Sequence, residues 1–162
     1  MSINFDNFNS VVSLFHNQAL SLGTKPYLWK KVNEKFVSLS WNEVLEKAES
    51  IAKGLINLGI LKGDRVVVLS ENRPEWQIAD LAIMAIGAVT TPAYITNTPG
   101  DHNHILKDSG AKGVIVSTAK LAEKIIQGAK KVEGLEFIIV MEKMATSTSG
   151  PKIIDIASLL ET

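Results

Sequence analysis

Cysteine is absent from the 162 residues of this sequence. Disulfide bonds, thiolate nucleophiles and cysteine-ligated metal sites are therefore excluded, and the composition fits a reducing compartment. A basic N-terminal segment followed by an apolar stretch is also missing, so we expect a cytoplasmic protein.

Excess charge of either sign is missing as well. Seventeen basic residues balance 17 acidic ones, and no run of Lys and Arg exceeds two residues. Nucleic acid is thus not an expected partner, because phosphate backbones are bound by clustered positive charge. Peripheral contact with a membrane stays open. A membrane span is not expected, since the apolar run of residues 81–89 is far shorter than the ~20 residues that a span requires.

What the sequence does contain is a hydrophobic fraction of 46%, enough to fill a sizeable core. Apolar residues at helical spacing predict a first helix from Asp6 to Leu22, with Gly23 as its cap. Alternating residues predict a small hairpin of strands 27–30 and 35–39 around a turn at 32–34. Ser40 and Glu43 have the spacing of a capping box, and the amphipathic helix that follows ends before Gly59.

The rest of the chain alternates between strands and helices. We predict strands at residues 65–69, 88–92, 113–117 and 137–141, and helices at 74–86 and 119–131. Between them, Thr98 is expected to cap a helix that has Pro99 in its first turn, reaches Asp108 and ends at Gly110. Continuous apolar strands joined by helices indicate an α/β fold with a parallel sheet covered on both faces. Each linking helix is long enough for a crossover, which predicts the spatial order 2-1-3-4. We divide the chain into residues 1–40, the helix and hairpin, and residues 41–162, the sheet subdomain.

Parallel sheets of this kind bind ligands beyond the carboxyl ends of their strands. Neither GxGxxG nor GxxxxGK[ST] occurs in the loops there, so the dinucleotide and P-loop NTPase hypotheses lack their usual motif.

Two long stretches carry a family resemblance. GDRVVVLSENRPEWQIADLAIMAIGAVTTPAY, residues 63–94, followed by ITNTPGDHNHILKDSGAKGVIVS, residues 95–117, resembles the N-terminal part of AMP-forming acyl-CoA synthetases, in particular the long-chain fatty-acid CoA ligases. SWNEVLEKAESIAKGLINLGI, residues 40–60, is similar too. The resemblance implies that fatty acid and Mg-ATP give an acyl-adenylate, from which the thiol of CoA then displaces AMP.

The polar stretch ATSTSGPK, residues 145–152, has the composition of a phosphate-binding loop. The family's phosphate loop resembles TSGTTGxPKG, whereas residues 146–152 hold one glycine and Ile153 follows the lysine. The close backbone approach that several glycines permit is missing. We therefore interpret the stretch as a solvated loop and place the phosphate loop beyond Thr162. The chain alone is expected to be inactive and to bind no cofactor, and no catalytic residue is assigned.

Tyr94, Ile95 and Thr96 are the candidate binding residues. They leave the carboxyl end of a predicted strand, and the resemblance implies that the matching turn lies beside the pantetheine arm of CoA. A plain tight turn before Thr98 is the alternative.

Other polar residues have structural interpretations. Glu71, Asn72, Arg73, Glu75 and Trp76 surround Pro74 and suit the start of a helix, with Trp76 anchored against the core.

The three histidines do not form a metal site in this pattern. His102 and His104 are two residues apart on a helix, about 200° around its axis, so they do not chelate one ion together. His16 is expected to be exposed or half-buried on the first helix.

Three classes of function stay open. The chain is the N-terminal part of an acyl-CoA synthetase, a part of an adenylation enzyme with another acceptor, or a stand-alone flavodoxin-like binding module. The predicted helix 74–86 is apolar nearly all round. If later residues cover it in the whole enzyme, the present chain is expected to self-associate; cover by Trp41, Leu45 and Phe137 is the alternative.

Overall fold

The computed structural model describes residues 8–144 and 150–160. The helices are α1 (Val11–Leu22), α2 (Trp41–Asn57), α3 (Pro74–Ala85), α4 (Pro99–Ser109), α5 (Ala119–Gly128) and α6 (Ala157–Leu160). The strands are β1 (Pro26–Val32), β2 (Lys35–Ser40), β3 (Arg65–Leu69), β4 (Val89–Ala93), β5 (Gly113–Val116), β6 (Phe137–Val140) and β7 (Lys152–Asp155).

The central sheet is parallel, with strand order β4-β3-β5-β6-β7. The first four strands therefore lie in the predicted order 2-1-3-4, and their bounds agree with the predictions to within one residue. The fifth strand, β7, is not among the predicted strands, and its first residue, Lys152, falls in the polar stretch interpreted as a solvated loop. Its Ile153 and Ile154 pair with Ile138 and Ile139 of β6.

Helices cover both faces of this sheet, as alternating side chains of the buried strands require. Val66 and Val68 belong to one core with α1, α2, α3 and α6, whereas Val67 and Leu69 belong to a second core with α4 and α5. The predicted α/β architecture is confirmed.

The antiparallel hairpin β1–β2 precedes the sheet, as predicted. Its turn consists of Asn33 and Glu34, whose φ angles of 46° and 64° are both positive, as in the tight turns that match strand twist. Tyr27 stacks on Trp41 of α2 with ring centroids 3.8 Å apart, and its hydroxyl accepts a 2.7 Å hydrogen bond from Gln77 of α3. The hairpin is thus held against the helices, and the division at residues 40 and 41 stays a prediction.

Capping residues set where the helices begin. The predicted start of the first helix, Asp6, lies outside the described residues, and α1 begins only at Val11 because Ser10 and Ser13 form a capping box. The Ser40–Glu43 box of α2 is confirmed. Thr98 caps α4 together with Asp101.

Helix α3 is covered within this chain, which corrects one premise of the sequence interpretation. Its residues Ile78, Ala79, Ala82 and Ile83 are at most 2% exposed. Trp41, Leu45 and Phe137 belong to the same core, as the alternative expectation held. The helix therefore gives no reason for self-association, which itself stays a prediction.

Helices α4 and α5 approach each other closely. A methyl group at Gly128 would lie 2.7 Å from the Pro99 carbonyl oxygen, so only glycine fits at the contact. Asn103 donates hydrogen bonds of 2.6 and 3.2 Å to the carbonyls of Gly128 and Lys130. Helix α5 ends at Gly128 rather than at the predicted residue 131, and Lys131 has a positive φ of 62°, outside the helical range.

His102 is fully buried in this contact, and neither ring nitrogen has a hydrogen-bond partner among the described residues. His104 is exposed, so the two histidines face different surroundings, as their spacing predicts. Burial lowers the pKa of the His102 imidazole, the positive charge of Lys124 adds to this, and Asp101 opposes it.

The buried histidine predicts a loss of stability in mild acid. A lowered pKa means that the folded chain binds fewer protons than the unfolded chain, so stability is complete above the unfolded pKa of about 6.5 and declines below it. We expect the free energy of unfolding to fall by about 1 kcal/mol between pH 7.5 and 5.5. Urea unfolding of His102→Leu should remove this dependence, and His104→Leu should keep it. An unchanged pH dependence in His102→Leu would contradict this role.

Candidate ligand-binding edge of the sheet

The carboxyl ends of the parallel strands form the candidate site. Strand β3 pairs with β4 on one side and β5 on the other, and α3 and α5 leave the ends of β3 and β5 on opposite faces. The loops after β3 and β5 consequently diverge, which opens the crevice where open α/β sheets bind ligands. We call this region the switch-point edge; it comprises residues 70–73, 94–97 and 117–118.

A carboxylate and a hydroxyl meet at the centre of the switch-point edge. The buried Ser117, just after β5, donates a short hydrogen bond to the Glu71 carboxylate, which follows β3. This bond is the main cause that holds the pKa of the Glu71 carboxyl below its usual range; the backbone amide of Glu71 and the charge of Arg73 add to it. Glu71 is thus an ionised, exposed acceptor at the point where the loops diverge.

The Ser117–Glu71 bond ties the ends of two central strands together, so its loss is expected to destabilise the chain. Ser117→Ala should lower the free energy of unfolding by about 1 kcal/mol at pH 7. Because the pKa of Glu71 is lowered, this contribution is present above its unfolded pKa and disappears as the pH falls through the folded value. Urea titrations at pH 7 and in acid measure both effects.

Ser70→Ala is the matched control, since the Ser70 hydroxyl donates only to the carbonyl of its neighbour Glu71 among the described contacts. A Ser117→Ala loss no larger than that of Ser70→Ala would contradict the prediction.

Arg73 organises the charges beside Glu71. Its guanidinium lies 3.0 Å from Glu75 and 3.8 Å from Glu142, and Lys30 of the hairpin lies 3.3 Å from the other oxygen of Glu75. Partial burial acts to raise the pKa of the Glu75 carboxyl, but its backbone amide, Arg73 and Lys30 together hold that pKa below its usual range. The cluster joins the hairpin, α3 and the end of β6.

The sequence placed residues 71–76 at a helix start, and the structure agrees for most of them. Pro74 begins α3, Glu75 lies in its first turn and Trp76 packs against the core. Glu71 differs, because its carboxylate bonds across the sheet to Ser117. Nothing in the local sequence indicates this partner, which lies 46 residues away.

The predicted turn at Tyr94–Thr96 lies at the same edge, after β4. The amide of Asn97 donates a 3.1 Å hydrogen bond to the Tyr94 carbonyl and closes the turn. Lys124 of α5 donates to the carbonyls of Ile95 and Asn97 at 3.0 and 3.2 Å. The Tyr94 side chain is 79% exposed, and Thr96 is exposed too. A clamped backbone therefore presents free side chains at the carboxyl end of a strand.

The polar stretch at residues 145–152 lies elsewhere. Residues 145–149 are outside the described residues, and Pro151 leads directly into β7. The amide of Lys152 donates a 2.9 Å hydrogen bond to the Glu136 carbonyl, so it belongs to the start of the sheet pairing. Lys152 is at the amino end of its strand, opposite to the switch-point edge.

No metal centre is evident in the part of the chain that the structure describes: it contains no group of three His, Cys, Asp or Glu residues placed to hold an ion. None of its helices is long and apolar enough to cross a bilayer.

A parallel sheet with this strand order defines a doubly wound α/β protein, a class that binds its ligands at the switch-point edge. Comparison with known sequences specifies the family: the AMP-binding enzyme family matches residues 15–155. The chain belongs to this family.

Two relatives illustrate the match. Long-chain-fatty-acid–CoA ligase FadD15 of Mycobacterium tuberculosis is 36% identical over 113 residues, covering 70% of this chain and 18% of that protein. Long-chain-fatty-acid–CoA ligase 6 of Mus musculus is 30% identical over 143 residues, covering 85% of this chain and 20% of that protein. The chain thus spans about a fifth of the length of these curated relatives.

Solved structures share the fold. The anthranilate CoA ligase AuaEII, crystallised with anthranoyl-AMP, superimposes with a TM-score of 0.84 at 17% identity, over 98% of this chain and 30% of that one. Coronafacic acid ligase from Pectobacterium brasiliense superimposes with a TM-score of 0.82 at 22% identity, over 93% of this chain and 29% of that one.

Proposed function

We propose that this chain forms the N-terminal part of the large domain of an AMP-forming long-chain fatty-acid CoA ligase. The observation that carries the proposal is the family match over residues 15–155, together with relatives that are long-chain-fatty-acid–CoA ligases. A stand-alone flavodoxin-like module is not favoured, because both relatives described above, and both solved structures described with them, are ligases.

The reaction of the whole enzyme has two steps in this proposal. The fatty-acid carboxylate attacks the α-phosphorus of ATP, pyrophosphate leaves, and an acyl-adenylate forms. The thiol of CoA then attacks the acyl carbonyl, loses its proton, and AMP leaves with the bonding electrons. Bound Mg²⁺ would neutralise phosphate charge in the first step.

The described residues fit CoA better than they fit Mg-ATP. They offer Mg-ATP neither a glycine-rich loop at the switch-point edge nor a carboxylate cluster, so no step of adenylation is assigned to them. The turn at Tyr94–Thr96 fits a pantetheine arm better, because its backbone is clamped by Lys124 while Tyr94 and Thr96 face solvent. The role of this chain would be to position CoA.

A role in CoA binding also separates the leading proposal from adenylation with another acceptor. The fold neighbours include the adenylation domain of a carboxylate reductase from Mycobacterium chelonae, at a TM-score of 0.79 and 16% identity. The sequence relatives favour CoA as the acceptor, since both are long-chain-fatty-acid–CoA ligases. The cysteine-free composition fits the cytoplasm, which we propose as the compartment.

The test uses a fusion of this chain to the remaining part of FadD15. In that fusion, Tyr94→Ala should raise the KM for CoA about tenfold and leave carboxylate-dependent ATP–pyrophosphate exchange unchanged, because exchange reports only the first step. Tyr27→Ala is unsuitable as a control, since Tyr27 stacks in the core. Phe36→Ala, 71% exposed on the hairpin, is the matched aromatic control. An unchanged KM for CoA in Tyr94→Ala would contradict the proposed contact.

A further inference from the structure

A cavity of about 320 Å³ lies between the hairpin and Arg73, the one residue of the switch-point edge that lines it. The hairpin, α2, α3, the end of β6 and α6 surround it. We call it the hairpin cavity, and it is lined by Lys30, Leu39, Lys47, Ile51, Arg73, Glu75, Ile78, Met141, Ile156, Ala157 and Leu160. Its volume is at the lower end of the ~300–1,000 Å³ typical of small-molecule sites.

The floor of the hairpin cavity is apolar and rigid. Ile51 of α2 and Ile78 of α3 are each 2% exposed and belong to the main core. Ile156 is 7% exposed beside them. Because these side chains are fixed by core packing, they give a preformed surface on which an alkyl chain would bury its own apolar area.

The rim of the hairpin cavity carries an excess of positive charge. Lys30 and Arg73 share the carboxylate of Glu75, and Arg73 also reaches Glu142. Lys47 forms no ion pair with any carboxylate of the described residues, although it lines the same cavity.

Glu43, one helical turn before Lys47, is already engaged. Its carboxylate accepts hydrogen bonds of 2.7 Å from both the amide and the hydroxyl of Ser40. Lys47 acts on it only at longer range and is the smallest of the causes that lower the pKa of Glu43. An ammonium group without a close carboxylate therefore stands beside an apolar floor.

We propose that the hairpin cavity binds a small amphiphilic anion, with its acidic head on Lys47 and its short alkyl tail on Ile51 and Ile78. A cationic rim favours an acidic head over a neutral or cationic one, and the buried floor favours an alkyl tail over a polar ligand. Described residues of this chain line the hairpin cavity, so its binding is tested on the 162-residue chain and without ligase activity.

The binding experiment uses octanoate with the 162-residue chain. Two-dimensional NMR of the amide groups should show saturable shifts at Ile51, Ile78 and Ala157 as octanoate is added. Octyl phosphate should produce the same pattern, and comparing its affinity with that of octanoate distinguishes a carboxylate from a phosphate head. Octanol and octyltrimethylammonium should bind at least about fivefold more weakly.

Two variants test the contacts. Lys47→Met should weaken octanoate binding at least about fivefold, because it removes the ammonium but keeps an unbranched apolar side chain. Lys53→Met is the matched control, since Lys53 is exposed on the same helix and lies outside the cavity lining. The affinity of Lys53→Met for octanoate should equal that of the wild type. Ala157→Phe should fill the cavity and abolish binding of octanoate and octyl phosphate alike.

Three results would overturn the proposal. They are an absence of saturable shifts with octanoate, equal octanoate affinities of Lys47→Met and Lys53→Met, and binding of octyltrimethylammonium as tight as that of octanoate. The NMR spectrum of each variant also reports whether that variant is folded. Lys47→Met changes only a half-buried rim residue. The Lys47→Met result therefore still tests the proposal if Ala157→Phe does not fold.

Discussion

Truncation of Phe137 to alanine is expected to lower the free energy of unfolding by about 3–5 kcal/mol, the usual cost of removing a large buried aromatic ring. Phe137 begins β6, is 2% exposed and is among the largest fully buried side chains. Its ring fills the space over Gly113 of the neighbouring strand, where a methyl group would clash with it. Without the ring, a cavity would open where the sheet meets the main core.

Phe36→Ala is the matched control for this prediction, because the same ring is 71% exposed on the hairpin. Its loss should change the stability by less than about 0.5 kcal/mol. Urea unfolding at pH 7.5 measures both variants. Equal losses in Phe137→Ala and Phe36→Ala would show that β6 does not pack as described.

The second large effect concerns chemistry. The 162-residue chain alone is expected to show no carboxylate-dependent ATP–pyrophosphate exchange above background, even with fatty acid in excess. The reason lies at Lys152, whose amide pairs with Glu136 at the amino end of β7 and so does not face a ligand at the switch-point edge. The single glycine before it, Gly150, does not provide the series of free amides that a phosphate loop needs.

Contamination is the main concern in this assay, so the chain is compared with Lys152→Ala. Background exchange from a contaminating enzyme should be the same in both preparations. Exchange that survives repurification and is lost in Lys152→Ala would show that the polar stretch does bind phosphate.

Much of the fold follows from local sequence patterns. The run RVVVL at 65–69 is buried on both faces of the sheet, so its unbroken apolar character identifies a central parallel strand. The capping boxes at Ser40 and Thr98 fix the starts of α2 and α4 through contacts only three residues apart. Local signals of this kind are visible in a sequence because both partners are near each other.

The missed features depend on distant partners. Strand β7 is four residues long and becomes a strand only by pairing with β6, so no period in its own sequence reveals it. The Glu71–Ser117 bond joins two loops through the order of the strands. The hairpin cavity needs five separate elements to surround it. Such sites follow from tertiary structure and not from a motif.

The surroundings of Tyr94, Ile95 and Thr96 were predictable from the sequence only in part. The strand end and the turn were predictable from the sequence, and the turn lies at the sheet edge where ligands bind. Its clamp by Lys124, 29 residues from Ile95, was not predictable. Contact with CoA stays a prediction until the Tyr94→Ala variant is measured.

The most direct test of the central claim is ligase activity of the fusion in which this chain replaces the matched segment of FadD15. If the chain forms the N-terminal part of a long-chain fatty-acid CoA ligase, the fusion should catalyse palmitate-dependent ATP–pyrophosphate exchange and form palmitoyl-CoA, whereas FadD15 lacking the segment should do neither. A soluble fusion that unfolds cooperatively but forms no palmitoyl-CoA would contradict the claim.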